Sequence, residues 1–169
     1  MVKPGAENQA EDLLSQATAV AAAVADPELP FLTVHDLGIL REVRLEQGVV
    51  VAQVSPTYSG CPAVAVIENS IADALQQAGF NARVERVMSP PWTTEWITES
   101  GRRKLIDNGI APPTAPGTSK SLLFATQAVK CPYCESDNTQ KISEFGSTPC
   151  KSQHRCNRCQ EPFDHFKCH

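Results

Sequence analysis

Two Cys-x-x-Cys pairs near the C-terminus, Cys131-Pro132-Tyr133-Cys134 and Cys156-Asn157-Arg158-Cys159, constrain this chain more than any other stretch. Each pair can place two thiolates on one side of a tight turn, the bite that a tetrahedral metal needs. The spacer from Cys134 to Cys156 is 21 residues, one beyond the usual zinc window of roughly 15–20. The tail has too few apolar residues to build a core alone, so a bound ion would supply much of its folding energy. The competing readings are a pair of disulfides or free thiols. A thioredoxin-like redox pair would need a βαβ pattern around it, and neither pair has one. Six of the seven cysteines fall in the last 39 residues, and clustered thiols under reducing conditions favour ligation over cross-linking. Zinc bound by Cys131, Cys134, Cys156 and Cys159 is the expected centre. An iron–sulfur cluster, which also takes four thiolates, is the alternative. Cys150 and Cys168 are surplus thiols, either of which can replace one of the four. His154, His165 and His169 are weaker candidates.

Charge narrows the function classes. The chain of 169 residues carries a formal net charge of -4, and the tail from Lys130 on is only +1, with six Lys/Arg and five Asp/Glu. Nucleic-acid binding usually needs a basic footprint, and none is present. No apolar run approaches the roughly 20 residues of a membrane span. Met1-Val2-Lys3-Pro4-Gly5 lacks the charged-then-apolar layout of a signal peptide. A cytoplasmic protein is expected.

Ahead of the tail, the hydrophobic spacing predicts an α+β domain with the order α-β-β-α-β-α. A helix over residues 7–25 carries Leu13, Ala17, Val20 and Val24 on one face, and Asp26-Pro27 ends it. Strands are expected over 39–45, with Arg41 breaking the alternation, and over 49–54, the latter apolar enough to be central. Gln47-Gly48 joins them as a hairpin turn. In the second helix, which runs to about Ala78, Pro62 takes the first position and Cys61 becomes the N-cap. Val64, Ile67, Ile71, Leu75 and Ala78 form its buried stripe, and Gly79 closes it. A strand over 81–88 and a helix from Thr93 or Thr94 to Asn108 complete the domain. Residues 111–120, rich in Pro, Thr, Ser and Gly, read as a tether between a domain of residues 1–110 and a small β module over 121–169. In that module a strand over 122–129 leads into the first cysteine pair, and segments at 139–145, 153–155 and 162–166 make a three-stranded ribbon.

Cys61 is the candidate site of the first domain. A sulfur at a helix N-cap sits over unpaired N–H groups and the positive dipole end, which lowers a thiol's pKa; the alternative is a small apolar residue packed under the helix. Asp36 and Thr57 stand at strand and loop ends from which they can reach Cys61, or they simply cap turns. His35 beside Asp36 lacks the nucleophile that a hydrolytic site would need.

Four motifs in register, Asp26-Pro27-Glu28-Leu29-Pro30, Val34-His35-Asp36-Leu37-Gly38, Ser55-Pro56-Thr57-Tyr58-Ser59-Gly60-Cys61-Pro62 and Ser89-Pro90-Pro91-Trp92, resemble the SufT-like family of iron–sulfur assembly factors. The resemblance implies a small α+β fold and makes Cys61 the functional thiol, holding iron or an iron–sulfur unit transiently. In the tail, Glu144-Phe145-Gly146-Ser147-Thr148-Pro149-Cys150-Lys151 and Glu161-Pro162-Phe163-Asp164-His165-Phe166-Lys167-Cys168 are similar to the PaaD family of phenylacetate-degradation proteins. Its members are named as subunits of a ring 1,2-phenylacetyl-CoA epoxidase, a complex with a di-iron oxygenase and an iron–sulfur flavoprotein reductase. The sequence has no Glu-x-x-His pair on a helix and no nucleotide fingerprint. The resemblance therefore implies a non-catalytic accessory protein that helps install a cluster in a partner such as the reductase. The alternative is a structural component of the complex. A homo-oligomer is left open.

Overall fold

The computed structural model describes residues 4–58, 60–113 and 129–167, with side chains from residue 9 onward. The first helix, α1 (Pro4–Ala22), stops three residues short of the expected end. The reason is tertiary: the Val24 carbonyl accepts the Val34 N–H at 2.8 Å, and the Asp26 N–H donates to the Leu32 carbonyl at 2.9 Å. These bonds draw the chain into a bridge between Ala25 and Thr33, which competes with further helical turns.

Strands β1 (Leu40–Glu46) and β2 (Val49–Val54) form the expected hairpin. Its turn puts Gln47 at φ 49° and Gly48 at φ 84°, the double left-handed conformation that suits the twist of a two-residue loop. Helix α2 (Val64–Gln77) then crosses over to β3 (Ala82–Arg86), which lies parallel to β2. The sheet order is β1-β2-β3, so β2 is central, and its Val50, Val51, Ala52 and Val54 are buried. Val64, Ile67, Ile71 and Leu75 form the buried stripe of α2, whereas Ala78, expected in it, is the exposed C-cap because the helix has already ended at Gln77. The break in alternation at Arg41 is a β-bulge between Leu40 and Glu42, which turns the guanidinium over the Trp96 ring, 3.3 Å from its centroid. On the sheet's other face, Arg44 and Arg83 bridge Glu46 and Glu85 in a lattice of ion pairs.

The expected helix over 93–108 is divided into a short 3-10 turn, Thr94–Trp96, and α3 (Glu99–Asp107). The interruption falls where the Thr98 N–H donates to the Asp36 carbonyl at 2.9 Å. That bond takes the amide out of any continuous helical ladder.

Two compact units result. The first runs to Trp92 and includes Trp96–Thr98; the second takes Thr93–Glu95 and the described residues from Glu99 on. The packing boundary thus differs from the division at 110/111 that composition suggests, because β4 (Ile110–Ala111) joins the second sheet. That sheet has the order β4-β7-β6-β5, with β5 (Thr139–Ser143), β6 (Lys151–Cys156) and β7 (Pro162–Phe166) antiparallel in turn and β4 parallel to β7. The ribbon therefore has a fourth, two-residue strand beyond the three expected. Most of the tether and the strand expected over 122–129, Val129 excepted, lie outside the described residues.

Candidate functional site

The two cysteine turns are built alike. Cys131 accepts the Glu135 N–H through its carbonyl at 2.9 Å and donates its own N–H to Ser136. Cys156 donates its N–H to the Glu161 carbonyl at 3.0 Å. Each turn closes on a residue in the left-handed region, Glu135 at φ 59° and Gln160 at φ 66°. The turns are tied together by Asn157, which donates to the Asn138 carbonyl from its backbone and to Asn138 Oδ1 from its side chain, both at 2.9 Å.

This frame brings together the four predicted sulfurs, of Cys131, Cys134, Cys156 and Cys159, all within 4.8 Å of one another. Cys131 Sγ stands 3.7 Å from Cys159 Sγ and Cys134 Sγ 3.6 Å from Cys156 Sγ. A tetrahedron of thiolates about 2.3 Å from one ion has edges of about 3.8 Å, so these separations fit a single ion, while they are far longer than the roughly 2.05 Å of a disulfide. Cys131 and Cys156 are buried against Ala111, Val129 and Phe163.

The backbone prepares the sulfurs unequally. The N–H groups of Cys159 and Arg158 point at Cys156 Sγ, at 3.4 and 3.3 Å, and hold its pKa down to about 6. Burial pushes the Cys131 thiol up. Despite the Glu161 N–H, burial and the neighbouring thiols push Cys159 up to about 12. Four thiolates crowded this closely repel one another, and a dication is what relieves them.

Cys150 does not join this centre. It precedes β6 while Cys156 ends it, and six strand residues span about 20 Å; the Cys150 sulfur contacts Thr148 Oγ1 at 3.0 Å instead. Cys168 and His169 lie outside the described residues. His154 and His165 also stand apart from the cysteines, on either side of the Ser152 hydroxyl at 3.1 and 3.5 Å.

At Cys61 the structure corrects the expected cap. Helix α2 begins at Val64, with Ala63 as the N-cap at φ -73° and no side-chain capping bond. The chain enters the helix through turns in which the Cys61 N–H donates to the Tyr58 carbonyl and the Cys61 carbonyl accepts from Val64. The half-buried sulfur still receives the N–H groups of Ala63 and Val64, but its pKa is raised, not lowered. Burial is the main cause, reinforced by the Glu28 and Asp26 carboxylates. Those two carboxylates are the neighbours that sequence reasoning missed, because Asp26-Pro27-Glu28 reads simply as a helix stop. Asp26 is itself held by the N–H groups of Glu28 and Leu29 at 2.9 and 2.8 Å. Asp36 serves the loop: its carboxylate accepts from the Thr33 N–H and hydroxyl at 3.0 and 3.1 Å and from the Thr98 hydroxyl at 3.4 Å. Thr57 is half-buried in the turn before Cys61.

Comparison with known proteins bears on both halves. Residues 15–87 match a family model described as an iron–sulfur cluster assembly protein, and residues 115–167 match the PaaD zinc beta ribbon domain. A curated Escherichia coli protein, named as a putative subunit of 1,2-phenylacetyl-CoA epoxidase, is 43% identical over 152 residues, covering 89% of this chain and 90% of that protein. This chain belongs to the PaaD family. The fold of the first unit is also that of a solved domain of unknown function, DUF59, from Bacillus anthracis, with a TM-score of 0.54, 24% identity and coverage of 59% of this chain and 96% of that one. The PaaD-family chain thus combines an assembly-type α+β half with a ribbon whose four cysteines are placed for one metal. Among the described residues no helix is long and apolar enough to cross a membrane.

Proposed function

We propose that this chain is a non-catalytic accessory factor of a multicomponent phenylacetyl-CoA epoxidase, and that it assists iron–sulfur cluster assembly in a partner, the flavoprotein reductase. One observation carries the reading: the stretch matching an iron–sulfur assembly protein contains Cys61, a half-buried thiol aimed at by two backbone N–H groups and set beside two carboxylates. Such a thiol rests protonated. A cationic cargo, attracted by Asp26 and Glu28, displaces that proton and becomes a thiolate complex. Thr57 stands in the turn that leads to Cys61, and Asp36 braces the Thr33 loop against Thr98. The 43% identical relative, named as part of the epoxidase, supports the choice of complex.

In the ribbon, zinc is the ion that best suits the cysteines. In a four-iron cluster each thiolate binds a different iron, so the sulfurs stand farther apart than around one ion, whereas here all four lie within 4.8 Å. The zinc holds the ribbon in shape, and the ribbon serves as the partner-facing module.

The test is to produce the reductase in cells beside wild-type chain or Cys61→Ser and measure its iron, sulfide and visible absorbance. The expected result is a folded Cys61→Ser chain and a reductase poor in cluster. Full cluster occupancy beside the variant rules out the Cys61 role. The second reading, a permanent structural component of the complex, is favoured by the wording of the relative's name. It predicts stable co-purification with the oxygenase and reduced turnover when the chain is omitted from a reconstitution already supplied with cluster-loaded reductase.

A further inference from the structure

Among the described strands β1, β3, β4 and β5 stand at sheet edges, and three of them are blunted. β1 and β5 each carry a bulge, at Arg41 and at Ile142, and β4 is a strand of 2 residues. Bulges and short strands keep an edge from pairing with another chain. β3 (Ala82–Arg86) has neither. Its 5 residues run in unbroken register with β2, contain no proline, and have a strand neighbour on one side alone.

The bonds to β2 decide what that edge presents. The Val50 N–H donates to the Asn81 carbonyl and the Val87 N–H to the Val54 carbonyl, both at 2.8 Å. The two backbone groups of a strand residue point to one side, and the side alternates along the strand. Arg83 and Glu85 therefore turn their backbones to β2, while Ala82, Val84 and Arg86 turn theirs outward. Among the described residues no backbone group receives them. The side chains of Arg83 and Glu85 lie on the ion-pair face of the sheet. Within its own chain Arg83 bonds Glu46 and Glu85 through Nε and Nη2, so Nη1 is left over among the described residues.

We propose that β3 pairs with the β3 of a second copy of this chain, antiparallel about a two-fold axis through Val84, so that two three-stranded sheets become one. The axis makes the contact self-complementary. Val84 meets Val84, and Ala82 meets the other copy's Arg86, each pair exchanging both of its backbone bonds. Between them Arg83 stands opposite the other copy's Glu85, in the closer, non-bonded kind of pair where opposite charges attract. The charges also fix the register. A slip that moved the axis to Arg83 or to Glu85 would set like charges face to face. Ala82 leaves room for the aliphatic stem of Arg86 opposite it. Two such short strands bury less than a standard interface, so the dimer is weak and depends on concentration. This inference does not depend on the role of Cys61.

The experiment is analytical ultracentrifugation of the full metal-loaded chain under reducing conditions, from micromolar to near-millimolar concentration, with amide spectra to confirm that each variant is folded. The wild-type chain should pass from monomer to dimer across that range. Val84→Pro removes an N–H that faces away from β2, a position where an edge strand tolerates proline, and should abolish the dimer. Arg83→Glu and Glu85→Arg each set like charges opposite in their own dimers and should associate about tenfold more weakly. Mixed in equal amounts, the two variants form a pair in which every facing charge is opposite again, so the mixture should associate more tightly than either variant alone. A simple loss of fold would not give that recovery. A wild-type chain that stays monomeric throughout, its edge left to some other protein's strand, overturns the proposal. So does a dimer unchanged in folded Val84→Pro, where the copies meet elsewhere, or a mixture no tighter than its components.

Discussion

Stripping the ion from the ribbon is the sharpest perturbation that the structure offers. The apolar cluster packed on the cysteines consists of Ala111, Val129 and Phe163. Burying Val129 and Phe163 contributes about 1.5–3 kcal/mol each and the Ala111 methyl about 0.8, roughly 4–7 kcal/mol together. A four-thiolate zinc centre contributes about 10–16 kcal/mol at neutral pH. The ion's share exceeds that of the packing around it, so β5, β6 and β7 should lose their order once it is removed. Ile110 and Ala111 should follow, because their strand partners are Asp164 and His165 on β7. The first unit draws its core from α1, α2 and its own sheet, without thiol ligands, and should persist. The assay is a proton–nitrogen spectrum of the full chain under reducing conditions, recorded as a strong chelator is added, with metal content measured in parallel. Collapse of the amide dispersion for residues 129–167 and 110–111, with β1–β3 and α2 unmoved, is the expected outcome. Dispersed ribbon signals in protein shown to be free of metal would refute the reasoning.

Other outcomes follow from individual residues. Gly38 sits at φ 65° with the Trp96 backbone where a Cβ would go; Gly38→Ala should cost about 2–4 kcal/mol from backbone conformation and crowding, seen as a melting temperature about 10 °C lower or more. Glu85 accepts from Arg44 and Arg83, which hold its pKa down to about 2. Its stabilising contribution is therefore present above the ordinary 4.5 and is lost as pH falls towards 2, and a carboxyl-carbon NMR titration with a midpoint near 4.5 would contradict the lattice. Cys150→Ser should leave metal stoichiometry unchanged while Cys159→Ser lowers it, as measured by elemental analysis of the purified variants; equal losses would bring Cys150 into the centre.

The parts legible in the sequence are those governed by short-range rules. A Cys-x-x-Cys turn positions its two sulfurs through its own backbone, so the four sulfurs that the structure gathers within 4.8 Å of one another could be named from spacing alone. Gln47-Gly48 announced its hairpin because left-handed residues are needed there, and β2 was recognisable as central because burial on both faces leaves an unbroken apolar run. What the tertiary structure decided depends on residues far apart in the chain. The Asp36 carbonyl ended a helical ladder 62 residues away at Thr98, and the Leu32 and Val34 backbone cut α1 short. Ile110 and Ala111 became a strand only because β7 offered them an edge. Cys61 shows the difference most clearly: its local backbone favours the thiolate, as the sequence suggested, yet burial and the carboxylates of Asp26 and Glu28, brought in from 35 and 33 residues away, reverse the balance. Desolvation and charge act through space, and no local pattern of residues contains them.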